Sequence, residues 1–324
     1  MTSTADRTAK RILVTGASGC VGQYLVEELL AETPHRLVLV VRNPAKLPAA
    51  VAGSPRVEVI EADVADVEGY RDRLGRIDVA MLLAACWGGR NAFRVNVEAN
   101  LALATYLADN GGDRVLYFAT GSVIDADGRM LPPARELGSE YIRSKYQLVE
   151  EIEKLGDRID VVGLYPSLIV GGGDGKPMSH FARLLHQARP WAWLARFLRA
   201  DARFHFVHAR DIARVARHLA DAPLDRLAKP RRLVLGNPAI TVNDFIAGFT
   251  AYLGLRTPFT VTLKDWLAEG IIRVFRIKLS PWDRYCMEHR DLSYRKVYSP
   301  ADFGLPVACP DLATALDGIG IVRR

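Results

Sequence analysis

Residues 11–30 read RILVTGASGCVGQYLVEELL. Arg11 to Thr15 is an almost unbroken apolar run, which suits a strand buried on both faces. Gly16, Gly19 and Gly22 follow at three-residue spacing, and QYLVEELLAE after them reads as a helix. Strand, glycine turn and helix in that order predict a βα unit whose turn can approach a dinucleotide. Gly16 permits the tight turn, Gly19 lets the main chain come close to a pyrophosphate, and Gly22 lets the helix pack on the strand. The helix N-terminus then offers free N–H groups and a positive dipole end to phosphate. A glycine-rich turn without a ligand is the alternative that this stretch alone leaves open.

The same rhythm continues. Apolar runs at 35–41, 56–64, 77–85, 113–120 and 160–166 alternate with helical patterns that include 99–110 and 139–155. This predicts an α/β fold with a doubly wound parallel Rossmann sheet, whose ligands sit at the carboxyl ends of the strands. A dinucleotide-binding unit over 1–166 would precede a smaller, partly interleaved substrate-binding region over 167–324, with 206–235 returning to the first unit. The second strand ends at Arg42, followed by Asn43-Pro44-Ala45-Lys46 without a carboxylate. An acidic residue there selects a ribose 2′-hydroxyl, and an arginine accommodates a 2′-phosphate. The expected cofactor is therefore NADP(H) in preference to NAD(H), with a plain surface role for Arg42 as the alternative.

Composition narrows the remaining classes. In 324 residues, 49% are hydrophobic, enough for a substantial core. The N-terminal MTSTADRTAK has no apolar stretch of a secretory leader, and no run is long enough to span a membrane. Cys20, Cys86, Cys286 and Cys309 are scattered, as expected of reduced thiols in a cytoplasmic protein. They form no metal-binding pattern with histidine, and His180, His186, His205 and His208 show no ligand spacing, so no metal is expected. The net charge of +6 comes from basic residues spread along the chain, with no nucleic-acid motif. An anionic cofactor accounts for part of that balance.

Residues 139–155, SEYIRSKYQLVEEIEKL, begin on Ser139, a good N-cap, and place Tyr141 and Lys145 one turn apart on one face. Alone the pair is unremarkable in a soluble helix. With the rest, the chain resembles the extended short-chain dehydrogenases/reductases over nearly its whole length. Thr15 to Gly22, including Ser18, Cys20 and Val21, is similar to their TGxxGxxG motif, and Tyr141-Ile142-Arg143-Ser144-Lys145 to their YxxSK helix. The resemblance implies that Asp63, with Val64 beside it, contacts the adenine, and that Ala84 and Ala85 lie beside the cofactor. It implies that Asn96 supports a proton-relay water and that Tyr165-Pro166-Ser167 borders the nicotinamide. Within Phe118 to Val123, counting back from Val123 places the catalytic hydroxyl on Thr120, with Ser122 as second candidate. Lys145 would also reach the nicotinamide ribose, and a homodimer through 91–110 and 139–155 is expected.

These residue types suit hydride chemistry. Hydride transfer to a carbonyl leaves an alkoxide that needs a proton. A free tyrosine, with pKa near 10, exchanges protons poorly at pH 7. An ammonium one turn away, with the positive charge of the oxidised cofactor, would stabilise the phenolate and lower that value. Tyr141 is then the acid or base, Lys145 tunes it, and Thr120 orients the carbonyl. Tyr146 lies off that face and reads as packing.

Three functions remain: a reductase of a small, apolar carbonyl compound, a nucleotide-sugar epimerase with bound NAD, and a non-catalytic nucleotide sensor. Related sensors usually lack the tyrosine–lysine pair. Dehydratases usually carry Asp-Glu after the catalytic Thr, where this chain has Gly121-Ser122. Phe206 to Ala213, FVHARDIA, is similar to a family segment that in sugar-nucleotide enzymes often follows a diphosphate-holding arginine. Here that position is Phe204, with Arg203 one step off and so on the other face of a strand. The segments 180–200 and 263–286 mix aromatic residues with arginines. They read as ordinary core packing, as a lid over an apolar pocket, or as a basic surface making weak membrane contact. GGGDGKP, 171–177, reads as a loop after the sixth strand.

Overall fold

The computed structural model describes residues 9–263, 270 and 278–323. Leu263 and Lys278 fall within it, whereas Trp266, Ile271, Ile272, Arg273, Val274, Phe275, Arg276 and Ile277 lie outside the described residues. Seven strands form the main sheet: β1 (Arg11–Thr15), β2 (Arg36–Val41), β3 (Val57–Glu61), β4 (Val79–Leu82), β5 (Arg114–Phe118), β6 (Asp160–Pro166) and β7 (Arg231–Leu235). Their order is β7-β6-β5-β4-β1-β2-β3, and every pairing is parallel. Chain order reverses between β1 and β4, the place where a doubly wound sheet opens a crevice.

The strands are apolar throughout because both faces are covered. Leu13, Val38, Ala80 and Val115 face one core, with helices Ala99–Asp109 and Glu140–Ile152. Ile12, Val14, Leu39 and Met81 face the other, with helices Cys20–Glu32 and Ala209–Asp221. Each buried Leu or Val contributes about 1.5–3 kcal/mol relative to exposure, so the two cores fix the sheet's register. Three expected strands end early. The runs 56–64, 77–85 and 113–120 stop at Glu61, Leu82 and Phe118. Beyond those residues the chain leaves the ladder to form the carboxyl edge.

A third core holds the region beyond β6. It joins Val170, Leu185, Phe206, Phe249, Leu316 and Ile321. Leu168–Val170 pairs in parallel with Phe206–His208, and Arg203–Phe204 pairs antiparallel with Ile240–Thr241. Among the described residues no helix is long and apolar enough to cross a membrane. The four cysteines are free thiols.

Candidate active site

The glycine turn sits at the crevice. Gly16 has φ +74°, a left-handed value that favours glycine, and a Cβ there would lie 2.8 Å from Ala84 N. A Cβ on Gly22 would overlap the Gly16 carbonyl, so the helix rests directly on the turn. Gly19 is exposed and is the N-cap, with no side chain capping the helix and no acidic residue in its first turn. Those N–H groups are oriented for an anion, with Ser18, Cys20 and Val21 half-buried around them. Burial pushes the Cys20 thiol up to about 12, which leaves it a packing group.

Arg42, Asp63 and Ala85 stand exposed just beyond β2, β3 and β4. Asn43 accepts from Ala45 N and closes the turn after Arg42. Asp63 accepts from Ala65 N at 2.9 Å through one oxygen, and the Val64 carbonyl accepts from the Tyr70 hydroxyl. Ala84 N donates to Thr15 Oγ1 at 3.2 Å. The predicted cofactor residues on these strands thus share one edge of the sheet. At the end of β6 they diverge. Tyr165 and Pro166 are buried, and the Tyr165 hydroxyl lies 2.8 Å from that of Tyr117, inside the core. Only Ser167 keeps a polar side-chain atom there, a buried Oγ without a protein partner.

Ser139 caps the next helix by accepting from Ile142 N. Lys145 is 1% exposed, and its ammonium donates to the Phe118 carbonyl at 2.6 Å. Burial lowers it from 10.5 to about 8. Burial also pushes the Tyr141 phenol above its ordinary value. Lys145 alone, without the positive charge of an oxidised cofactor, does not lower Tyr141. The ammonium turns to the last carbonyl of β5, and loss of solvent outweighs any attraction. Thr120 Oγ1 accepts from Ser122 N, and the two hydroxyl oxygens are 3.5 Å apart, so both candidates occupy one spot after β5. Tyr146 is buried in the core, as its position on the helix implied.

Asn96 is fully buried in a widened helical turn, Arg94–Glu98. Its side chain accepts from Cys86 N and donates to Cys86 O, both at 2.8 Å, and donates to Ser144 Oγ at 2.9 Å. It clamps the loop after β4 to the Tyr141 helix. Glu140 fastens the same loop by accepting from Gly89 N. Between these anchors sits Trp87, whose ring stacks on Tyr141 at 4.4 Å and meets His180 at 4.1 Å. Trp87 is nevertheless 57% exposed, so it forms a wall of the site.

Sequence reasoning missed Trp87, although a tryptophan between a strand-end Ala-Ala and Gly88-Gly89 was a visible signal. It also missed Tyr294. A Cβ on Gly121 would overlap the Tyr294 hydroxyl and lie 3.0 Å from its Cζ. Gly121 has no positive φ, so it is the space that the glycine provides. Tyr294 N donates to His205 Nε2 at 3.0 Å, and His205 Nδ1 donates to the Asn237 carbonyl at 2.7 Å. This pins a third hydroxyl beside Thr120 and Ser122. Nothing local to residue 294 announces it.

The profile of the NAD dependent epimerase/dehydratase family matches residues 12–236. The chain belongs to this family. It is an NAD(P)-dependent enzyme of the extended short-chain dehydrogenase/reductase type. Quinone oxidoreductase 2 of Escherichia coli (strain K12) is 29% identical over 140 residues, 43% of this chain and 44% of that protein. A 3-beta-hydroxysteroid dehydrogenase of Mycolicibacterium neoaurum is 33% identical over 125 residues, 35% of this chain and 33% of that protein. The chain thus matches less than half the length of either relative. The Bordetella bronchiseptica enzyme WbmG in complex with NAD and UDP has a similar fold, with TM-score 0.67, 17% identity, and coverage of 98% of this chain and 94% of that one.

In this epimerase/dehydratase family member the FVHARDIA segment is structural. His208 Nδ1 accepts from Arg210 N as a cap, and burial lowers that imidazole to about 4. Asp211 accepts from Ala308 N at 2.7 Å and Cys309 N at 3.1 Å, tying the C-terminal segment to the sheet. Arg203 is exposed, while Phe204 packs against Phe181 and Phe245. His186 bonds the Ile319 carbonyl. Among the described residues no group of three or more His, Cys, Asp or Glu could hold a metal.

Proposed function

We propose that this family member interconverts a carbonyl and an alcohol on a small apolar compound, with NADP(H) as an exchanging cosubstrate. One observation supports the substrate class: Phe204, where the family resemblance would put a diphosphate-holding arginine, packs with Phe181 and Phe245. The Trp87 wall over Tyr141 extends the same apolar character. A bound nicotinamide cofactor would supply or accept the hydride. Gly16, Ser18, Gly19, Cys20, Val21 and Gly22 would cradle its pyrophosphate, Arg42 its 2′-phosphate, and Asp63 and Val64 its adenine. Ala84, Ala85, Pro166 and Ser167 would flank the nicotinamide, and the unpartnered Ser167 Oγ suits that place.

Tyr141 starts as a neutral phenol, as any tyrosine does at pH 7, and burial raises its pKa further. That state suits donation of its proton to the substrate oxygen in reduction, and the reverse in oxidation. Lys145 provides the nearby ammonium, and Thr120 or Ser122 holds the oxygen. Tyr141→Phe should lower turnover roughly 10²- to 10⁴-fold while cofactor still binds. Near-wild-type turnover would remove Tyr141 from the reaction. The substrate screen begins with quinones and hydroxysteroids, the compound classes in the names of the two partial relatives.

A nucleotide-sugar epimerase with resident NAD is the second reading; the match to the NAD dependent epimerase/dehydratase family favours it, whereas Arg203, one residue from the expected place and so on the other strand face, counts against it. Denaturing the purified protein and identifying the nucleotide released separates the two. Near-stoichiometric NAD supports the epimerase and overturns the assignment of Arg42. An empty protein, or release of NADP(H), supports the reductase.

A further inference from the structure

Basic residues are spread along the whole chain, but acidic ones are not. Residues 175–200 contain Lys176, Arg183, Arg189, Arg196 and Arg199 and no Asp or Glu, in a chain whose entire net charge is +6. Lys176 pairs with Glu27. Among the described residues none of the four arginines forms an ion pair; Arg196 instead lies over the Phe197 ring and donates to the Arg256 carbonyl. The same stretch leaves Trp191 64% and Trp193 54% exposed, together with Leu184 and Leu194. Strand Val261–Thr262 pairs with Leu198–Arg199 and brings exposed Phe259 and Val261 alongside, with Phe259 stacked on Phe197.

We propose that residues 183–199, with Phe259 and Val261, form a docking face for an anionic lipid bilayer. Exposed indole and leucine side chains, among arginines that form no ion pair with the described residues, match the headgroup region, where apolar parts enter the acyl boundary and cations meet lipid phosphate. An acidic protein or a nucleic acid would use the arginines but leave the leucines in water. The face adjoins the candidate site. Helix His180–Ala188 begins at His180, against the Trp87 that covers Tyr141. A bilayer held there would present lipid-dissolved compounds close to the catalytic wall. The docking face itself does not depend on the proposed reaction.

The test is flotation of the full chain with vesicles of phosphatidylcholine alone and with about 30% phosphatidylserine. The expected result is binding to the anionic vesicles only, weakened by salt, with a blue shift of tryptophan emission. Each basic residue near such a surface contributes about fivefold to partition, so Arg183→Glu with Arg189→Glu should lower it at least about a hundredfold. Trp191→Ala should lower it as well, and carries the test if the charge-reversed variant does not fold. Absence of binding at low salt would overturn the proposal. So would partition that ignores both sets of changes. Equal capture by duplex DNA or polyglutamate, insensitive to Trp191→Ala, would reassign the arginines to a soluble partner and refute the bilayer.

Discussion

Lys145 should make the cofactor-free protein less stable than it could be. Its ammonium is 1% exposed and its pKa falls from 10.5 to about 8. At about 1.4 kcal/mol per pH unit, that places the charged form at a disadvantage of about 3 kcal/mol relative to the unfolded chain. Lys145→Met keeps the stem and removes the charge. It also strips the Phe118 carbonyl of its donor, at a cost of about 1–2 kcal/mol. The net expectation is a gain of about 1–2 kcal/mol at pH 7, in the range known for replacing buried charges by apolar groups. The pH dependence has a definite sign. Below pH 8 the lysine is protonated in both states and the folded state carries the full penalty. Between 8 and 10.5 the unfolded chain holds the proton that the folded one has released, so wild-type stability rises with pH. The advantage of Lys145→Met should therefore shrink between pH 7 and 9.5 and turn into a deficit near 10.5. Urea denaturation of the cofactor-free proteins at several pH values measures it. A variant less stable at pH 7, by an amount that does not change with pH, would refute burial as the dominant influence on this ammonium.

Gly121→Ala should cost about 1–3 kcal/mol by overpacking against the Tyr294 hydroxyl, and adding Tyr294→Phe should recover part of that loss. Strict additivity in a double-mutant cycle would disprove the contact. Asn96→Ala leaves Cys86 N, Cys86 O and Ser144 Oγ short of a partner and should destabilise by about 3 kcal/mol, with Trp87 emission moving to the red. Unchanged emission would separate Asn96 from the placement of Trp87. Arg42→Ala should weaken NADPH binding far more than NADH binding in a fluorescence titration. Equal losses would remove the 2′-phosphate from its role.

The sheet was legible because its signals are local. Val14 or Met81 needs both neighbours to be apolar, and the sequence near each says so. The glycine turn was legible because Gly16 and Gly22 are demanded by one short chain segment. The strand ends at Glu61 and Leu82 were not, because apolar runs persist into residues that have left the ladder for the crevice. Trp87 and Tyr294 were hidden for a different reason. Trp87 is placed by bonds from Asn96 and Glu140 to the residues beside it, and Tyr294 by His205 far back along the chain. The direction of the Lys145 ammonium was not legible, because spacing places the residue on the right face but says nothing of where its side chain points, which is to the Phe118 carbonyl.

That orientation explains why the pieces lie as they do. The Lys145 ammonium reaches back to β5 rather than outward, so its position is set by the Phe118 carbonyl, one residue pair before Thr120. Thr120 is in turn fixed by the short turn it caps, and Gly121 within that turn must stay small for Tyr294. Tyr141 receives its wall from Trp87, which Asn96 and Glu140 hold to the same helix that carries Tyr141 and Lys145. Three hydroxyls and one ammonium are thereby fixed against the end of a single strand. A shift of β5 by one residue would carry the Phe118 carbonyl and the turn that begins at Thr120 away from the Lys145 ammonium and from Tyr294, which other elements hold.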